Sequence, residues 1–263
     1  MAGLSEEQVR KAAEELFNAE QQHKTLRPLT ASFPDIEPDE AYHIQLALIE
    51  MKKAQGAKVV GKKIGLTSKA MQKMLNVDQP DYGHILDGML VEDGAAFVIN
   101  ELIQPKIEPE IAFVLDKDLQ GPGVSAIQVL AGTRFVVPAL EIIDSRIEAW
   151  KIKLCDTIAD NASSARVVLG SSPKRVDQID LRLVGMVLEK NGEVVHTGAG
   201  AAVLGHPANA VAWLANAVGK YGVSLKAGEV IMPGAICAAA DVAAGDFVRA
   251  SFDGLGVVSV RFS

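Results

Sequence analysis

The 263-residue chain reads as a mixed α/β protein, with a small helical segment over 1–55 followed by a β-rich domain over 56–263. Three features carry that expectation. Long amphipathic helical periodicity occupies most of the first 55 residues. Glycine and short β-type runs become frequent after them. The later helices are too sparse to alternate with strands as a doubly wound sheet requires.

The opening helix follows from Ser5 and Gln8, a capping-box pair, and from Val9, Ala12, Ala13, Leu16 and Phe17, which form one apolar stripe. Residues 27–38 are a proline-punctuated connection. A second helix is expected over 39–54, with Tyr42, Leu46 and Ile49 facing inward. Strands are expected over 111–115, 135–143, 183–188, 229–232, 247–252 and 257–262. In the last of these, Val258, Val260 and Phe262 alternate with Ser259 and Arg261, the pattern of a half-buried strand. Helices are expected over 68–75, 125–131 and 207–220, the last with Pro207 in its first turn and Gly222 past its end.

The apolar fraction of 49% supports a substantial core, and because aromatics supply only 5%, Val, Ile, Leu and Ala must fill it. Lys and Arg total 26 against 33 Asp and Glu, and no basic tract stands out, which argues against a nucleic-acid partner. No apolar run reaches the ~18 residues of a membrane span, and the first residues lack signal-peptide character. Cys155 and Cys237 make no disulfide framework and lack metal-ligand spacing with the five histidines. A cytoplasmic, acidic protein is expected.

The most informative stretch is Pro105–Leu115. If it is extended, Glu108 and Glu110 share a face, because side chains alternate along a strand. Glu141 sits within a second apolar run, 136–143. Carboxylates beside apolar strands need partners, and one hard divalent cation would satisfy all three; oxygen ligands select Mg²⁺ or Mn²⁺ over zinc. Spacing alone leaves another reading open, in which Glu108 and Glu110 face solvent and Glu141 pairs with Arg146 or a lysine.

The runs GKKIGLTSKAM (61–71), QPDYGHILD (79–87), IEPEIAFVL (107–115), PALEIIDSRI (138–147), DTIADNASS (156–164) and GAGAAVLGHPANAVAWLAN (198–216) occur in this order. Together they resemble the 2-oxopent-4-enoate hydratase and 4-oxalocrotonate decarboxylase branch of the fumarylacetoacetate hydrolase superfamily. The resemblance implies a mixed β-roll core and one Mg²⁺ or Mn²⁺ held by Glu108, Glu110 and Glu141. It implies a small 2-hydroxy-2,4-dienoate or 2-oxo acid substrate, from meta-cleavage degradation of aromatic compounds. It also implies a homo-oligomer and allows for a pathway partner enzyme. By the same likeness Lys63 is a candidate for stabilising oxyanion charge or shuttling a proton, and Asp81 for acid–base chemistry or water positioning. Lys62 is expected at the surface, since it must point away from Lys63 on extended backbone. Asp78 is a weaker candidate. Ser163, in the 160–164 turn, is the candidate for holding a substrate carboxylate, and Arg166 for a second carboxylate if the substrate is a diacid; a turn and a surface salt bridge are their structural alternatives.

The expected activity is hydration of a 2-hydroxy-2,4-dienoate to a 4-hydroxy-2-oxo acid. The alternative is 4-oxalocrotonate decarboxylation, with acylpyruvate hydrolysis or a non-catalytic binding role further off. Asp81 and the run KAMQKMLNVDQ follow the hydratases, whereas Ser163–Arg166 and Ala238–Ala240 look closer to the decarboxylases. No His–Glu pair suited to hydrolysis occurs in residues 1–60. Gly198–Val203 lacks the third glycine of a dinucleotide fingerprint, and His206 reads as a helix-start residue.

Overall fold

A computed structural model of the chain describes residues 3–74 and 77–263. In chain order its elements are helices α1 (Glu6–Gln21), α2 (Leu29–Ser32) and α3 (Pro38–Ala54), strand β1 (Val59–Gly65), helix α4 (Lys69–Met74), and strands β2 (Asp81–Leu86), β3 (Leu90–Glu92), β4 (Ala96–Phe97) and β5 (Lys106–Leu115). Then follow α5 (Ala126–Ala131), β6 (Thr133–Ile143), α6 (Leu154–Ala159), β7 (Ser164–Leu169), β8 (Gly185–Lys190), β9 (Glu193–Ala199) and α7 (Pro207–Gly219). Strands β10 (Val230–Met232), β11 (Ala240–Asp241), β12 (Phe247–Phe252) and β13 (Gly256–Phe262) complete the chain.

The strands form two sheets. The larger has the order β2-β1-β10-β5-β6-β7-β3, with β11 added to β5; the smaller has the order β4-β13-β12-β8-β9. Alternation along the larger sheet sorts its side chains onto two faces. Ile64, Ile107, Ile111, Phe113, Leu140, Ile142 and Val168 belong to one buried cluster with Leu188, Val248, Val258 and Val260 of the smaller sheet and Val211 and Leu214 of α7. The opposite, inward face carries Ile85, Ala112, Val137, Ala139, Val167, Val230 and Met232. This is the mixed α/β roll that the sequence predicts.

Helices α1 and α3 share a separate apolar cluster with Ile147, Cys155, Ile158 and Ala159. The capping box at α1 is formed, with Gln8 N–H donating to Ser5 Oγ at 3.3 Å and Ser5 N–H to Gln8 Oε1 at 2.8 Å. Helix α7 starts as expected, His206 Nδ1 accepting from Ala208 N–H at 3.0 Å. No helix among the described residues is long and apolar enough to cross a membrane.

Several local expectations change. Leu46 is 46% exposed, while Gln45 is buried in its place. The amide of Gln45 donates to Tyr82 C=O at 2.9 Å and Ile158 C=O at 2.6 Å, and this polar anchor sets the inward face of α3. The strand expected from residue 183 starts at Gly185, because Asp180 Oδ1 accepts from the backbone N–H groups of Arg182 and Leu183 and holds a turn there. The end of the helix expected over 68–75 lies outside the described residues.

Candidate active site

Register brings the candidate side chains together at one end of the inward face. Glu108 pairs directly with Glu141 across β5 and β6, and Glu110 lies one pleat further along β5. On β1, Lys63 is opposite Gly83 of β2 and Met232 of β10, and Gly65 is opposite Asp81. Carboxylate oxygens of Glu108, Glu110 and Glu141 all lie within 4.8 Å of one another. Lys63 Nζ stands 3.4 Å from Glu141 Oε2 and donates to Ala162 C=O at 2.9 Å. Gly65 makes room for the group beside it: a Cβ there would strike Asp81 Oδ1 and lie 3.4 Å from Lys63 Nζ.

Most of these groups are buried and incompletely matched. Glu110 Oε2 accepts from Gly234 N–H at 2.8 Å, and Asp81 Oδ2 from Thr157 Oγ1 at 3.2 Å. Among the described residues, Glu110 Oε1, both oxygens of Glu141, Asp81 Oδ1 and the hydroxyls of Ser163 and Ser164 are buried without a hydrogen-bond partner. Four carboxyls thus converge on one ammonium group. Burial pushes the Glu108 carboxyl up to about 7, and the Glu141 charge pushes it the same way. Glu110 is raised well above the usual range by burial and then by Glu141 and Glu108. Burial likewise raises Glu141 and Asp81, against the opposing pull of Lys63. Burial disfavours the Lys63 ammonium, but Glu141, Asp81 and their neighbours outweigh it and keep Lys63 charged.

Buried oxygens with no donor and a shortage of positive charge are what a hard divalent cation satisfies, so the residues present fit Mg²⁺ or Mn²⁺. Glu141 indeed faces a lysine, as the other reading of its spacing allowed, yet its oxygens still lack hydrogen bonds.

The remaining candidates fall on both sides of the sheet. Ser163 follows Ala162, whose carbonyl accepts from Lys63 Nζ, and Ser164, which nothing in the sequence sets apart from its neighbours, is set against Glu141. Arg166 is opposite Ile142, on the other face from Glu141, where it pairs with Glu101 at 3.3 Å and stacks 5.2 Å over the Phe97 ring. Asp78 is exposed. Lys62 does point away from Lys63 but is not at the surface: it is 4% exposed and pairs with Glu229 at 2.8 Å, because the outer face of β1 is itself covered. Cys237 is half-buried, and burial, then the Glu108 charge, push its thiol up to about 12, which keeps it out of nucleophilic chemistry. Thr157 and Ala162 lie within the DTIADNASS run, but a threonine and a backbone carbonyl do not by themselves signal these roles, and Gly234 contributes only its backbone N–H.

Residues 55–263 match the family described as fumarylacetoacetate (FAA) hydrolase C-terminal. The chain belongs to the FAA hydrolase family. Within it, the chain is 48% identical over 250 residues to a 2-hydroxyhexa-2,4-dienoate hydratase of Comamonas testosteroni, covering 94% of this chain and 95% of that one. It is 51% identical over 217 residues to a 2-hydroxypent-2,4-dienoate hydratase of Pseudomonas putida, covering 82% and 98%. Among solved structures, 4-oxalocrotonate decarboxylase from Pseudomonas putida G7, complexed with magnesium and adipate, superposes with a TM-score of 0.97 at 43% identity over the whole of both chains. These three relatives, two hydratases and a decarboxylase, are lyases.

Proposed function

We propose that the protein is a divalent-metal-dependent hydratase that adds water to a 2-hydroxy-2,4-dienoate and yields a 4-hydroxy-2-oxo acid. One observation carries this reading: buried, unpartnered carboxylate oxygens of Glu110 and Glu141 grouped with Glu108 beside a charged lysine and a fourth carboxyl, Asp81. Glu108, Glu110 and Glu141 would hold Mg²⁺ or Mn²⁺, which when bound supplies Lewis acidity toward a C1 carboxylate and C2 oxygen. Lys63 keeps its proton and donates toward negative charge gathering on the C2 oxygen. Asp81, buried and raised, suits proton exchange: it delivers a proton to C5 of the dienol as the C2 hydroxyl loses its own, and takes one from the water attacking C4. A proton returned to C3, in place of the one lost from the C2 hydroxyl, completes the 2-oxo acid. The hydroxyls of Ser163 and Ser164 are free to hold the substrate carboxylate.

Decarboxylation of 2-oxohex-3-enedioate is the second reading, favoured by the close superposition on a decarboxylase. One placement supports hydration instead. Arg166, the candidate clamp for a second carboxylate, is turned to the other face and paired with Glu101. Incubation with 2-hydroxypenta-2,4-dienoate and, separately, with 2-oxohex-3-enedioate plus Mg²⁺ decides between them. A product heavier by one water from the first substrate is expected, and rapid carbon dioxide release from the second without hydration of the first overturns the reading.

We further propose that residues 56–263 carry the chemistry, with 1–55 as a helical appendage. We also propose that the enzyme works as a cytoplasmic homo-oligomer, supported by the exposed apolar side chains Leu183 and Val194 around the β8–β9 edge. Light scattering at native concentration tests the assembly.

A further inference from the structure

A strained turn and a buried clamp lie directly behind the proposed site. Asn161, Ala162 and Ser163 have φ of 53°, 50° and 54°. Three successive residues in the left-handed region are costly for side-chain-bearing residues, and such a turn persists only where its surroundings over-determine it.

Two side chains do so. Asn161 lies against β2 like an added peptide unit, its Oδ1 accepting from His84 N–H at 2.7 Å and its Nδ2 donating to His84 C=O at 2.9 Å. A Cβ on Gly83 would strike the Asn161 carbonyl, so the turn and β2 meet at the one residue that permits it. From the other side Arg146, buried to 2% exposure, donates through Nε to Asp160 Oδ1. Its Nη1 donates to Asp144 C=O at 2.7 Å and Ser164 C=O at 3.4 Å, and its Nη2 to Asp160 C=O at 2.5 Å. Asp160 Oδ2 accepts from Arg146 N–H at 2.9 Å and Ser145 Oγ at 3.3 Å. What this turn presents to the site is the Ala162 carbonyl, which accepts from Lys63 Nζ at 2.9 Å, and the two unpartnered serine hydroxyls.

We propose that Arg146 and Asp160 are positioning residues: through the 161–163 turn they fix the Ala162 carbonyl and thereby the ammonium group of Lys63. The proposal rests on the reading of Lys63 as a catalytic group. The guanidinium fork reaches three carbonyls and one carboxylate at once, a geometry that a lysine cannot reproduce. A displacement of the order of one ångström at Lys63 is enough to lower the rate, since the ammonium acts on charge at a defined atom.

Two variants and one background test this. Arg146→Lys retains a charge opposite Asp160 but not the carbonyl contacts. The paired change Arg146→Met with Asp160→Leu removes both charges together and leaves neither uncompensated in the interior. Both variants are expected to keep native circular dichroism and wild-type Mn²⁺ affinity, with kcat down on the order of 10²-fold and KM changed far less. In a Lys63→Met background, Arg146→Lys is expected to cost nothing further, because its route to the chemistry is gone. Wild-type kcat in either folded variant overturns the proposal, and so do fully additive losses in the Lys63→Met background. Full activity of Lys63→Met by itself overturns the reading of the site, and the clamp's route with it.

Discussion

Two buried ion pairs share the 160–164 turn, and they are built differently. In Arg146–Asp160 every nitrogen of the guanidinium donates and both carboxylate oxygens accept. In Lys63–Glu141 the charges stand 3.4 Å apart without hydrogen-bond geometry, and both Glu141 oxygens are left over. Both pairs are inside the protein, so burial of charge does not separate a structural pair from a reactive one. Unmet hydrogen-bonding capacity does. The matched pair holds backbone in place, whereas the unmatched one holds places open for something else.

The largest test of that contrast removes the open places. Glu108→Gln, Glu110→Gln or Glu141→Gln should each weaken Mg²⁺ binding and lower turnover on the order of 10³-fold, while the metal-free protein keeps or gains thermal stability, because a repelling charge has gone. Calorimetry and a dienol assay read both quantities. Wild-type turnover in two of the three variants would break the metal assignment.

Asp81→Asn tests the fourth carboxyl. Loss of a proton-transferring group should cost hydration roughly 10²–10⁴-fold, with Mg²⁺ affinity unchanged. Equal loss of metal affinity would place Asp81 among the ligands instead.

Lys62→Met examines a third buried pair, on the opposite face. It leaves part-buried Glu229 with only the Lys226 N–H as donor and should lower stability by about 1–3 kcal/mol in denaturant titration, while kcat of the folded enzyme stays at the wild-type value. A kcat loss as large as that of Lys63→Met would mean that the two lysines do not serve opposite faces.

The smallest effect is a matter of pH. Raised carboxyl pKa values mean that the folded, metal-free protein binds more protons than the unfolded chain. The stability this contributes is complete below the ordinary glutamate range and is lost as pH rises through about 7, where Glu108 titrates. A cation must displace those protons, so the rise in Tm on adding Mg²⁺ should be larger at pH 8 than at pH 5.5. A rise independent of pH would remove the carboxylates from the linkage.

How far the sequence showed this depended on distance along the chain. Glu108 and Glu110 share a face by strand alternation, which is local, and Lys63 and Asp81 stood out through recognisable runs. The partners of those residues come from elsewhere. That Lys62 is buried rather than solvated depends on Glu229, 167 residues away. The face of Arg166 depends on its register with β6, where pairing shifts between Ile142 and Ile143. A slip of one residue there would have turned it toward the glutamates. Gln45 in place of Leu46 on the inner side of α3 follows from two carbonyls, at Tyr82 and Ile158, that no helical periodicity reveals. Nor does Asp-Asn-Ala-Ser-Ser announce three left-handed residues, since Ala is an unusual occupant of that conformation.

Gln45 has a consequence for what the smallest working version of this enzyme can be. The match to the FAA hydrolase C-terminal family begins at residue 55, yet this side chain, ten positions earlier, ties β2 and α6 together, and its Oε1 lies 3.0 Å from His84 Nδ1. A truncated chain starting at the similarity boundary would strip the amide from two buried carbonyls, one of them belonging to the residue next to Asp81. Trimming to residues 55–263 would thus loosen the acid–base strand first and leave the three glutamates on β5 and β6 standing. Such a fragment would retain the cation and lose the reaction.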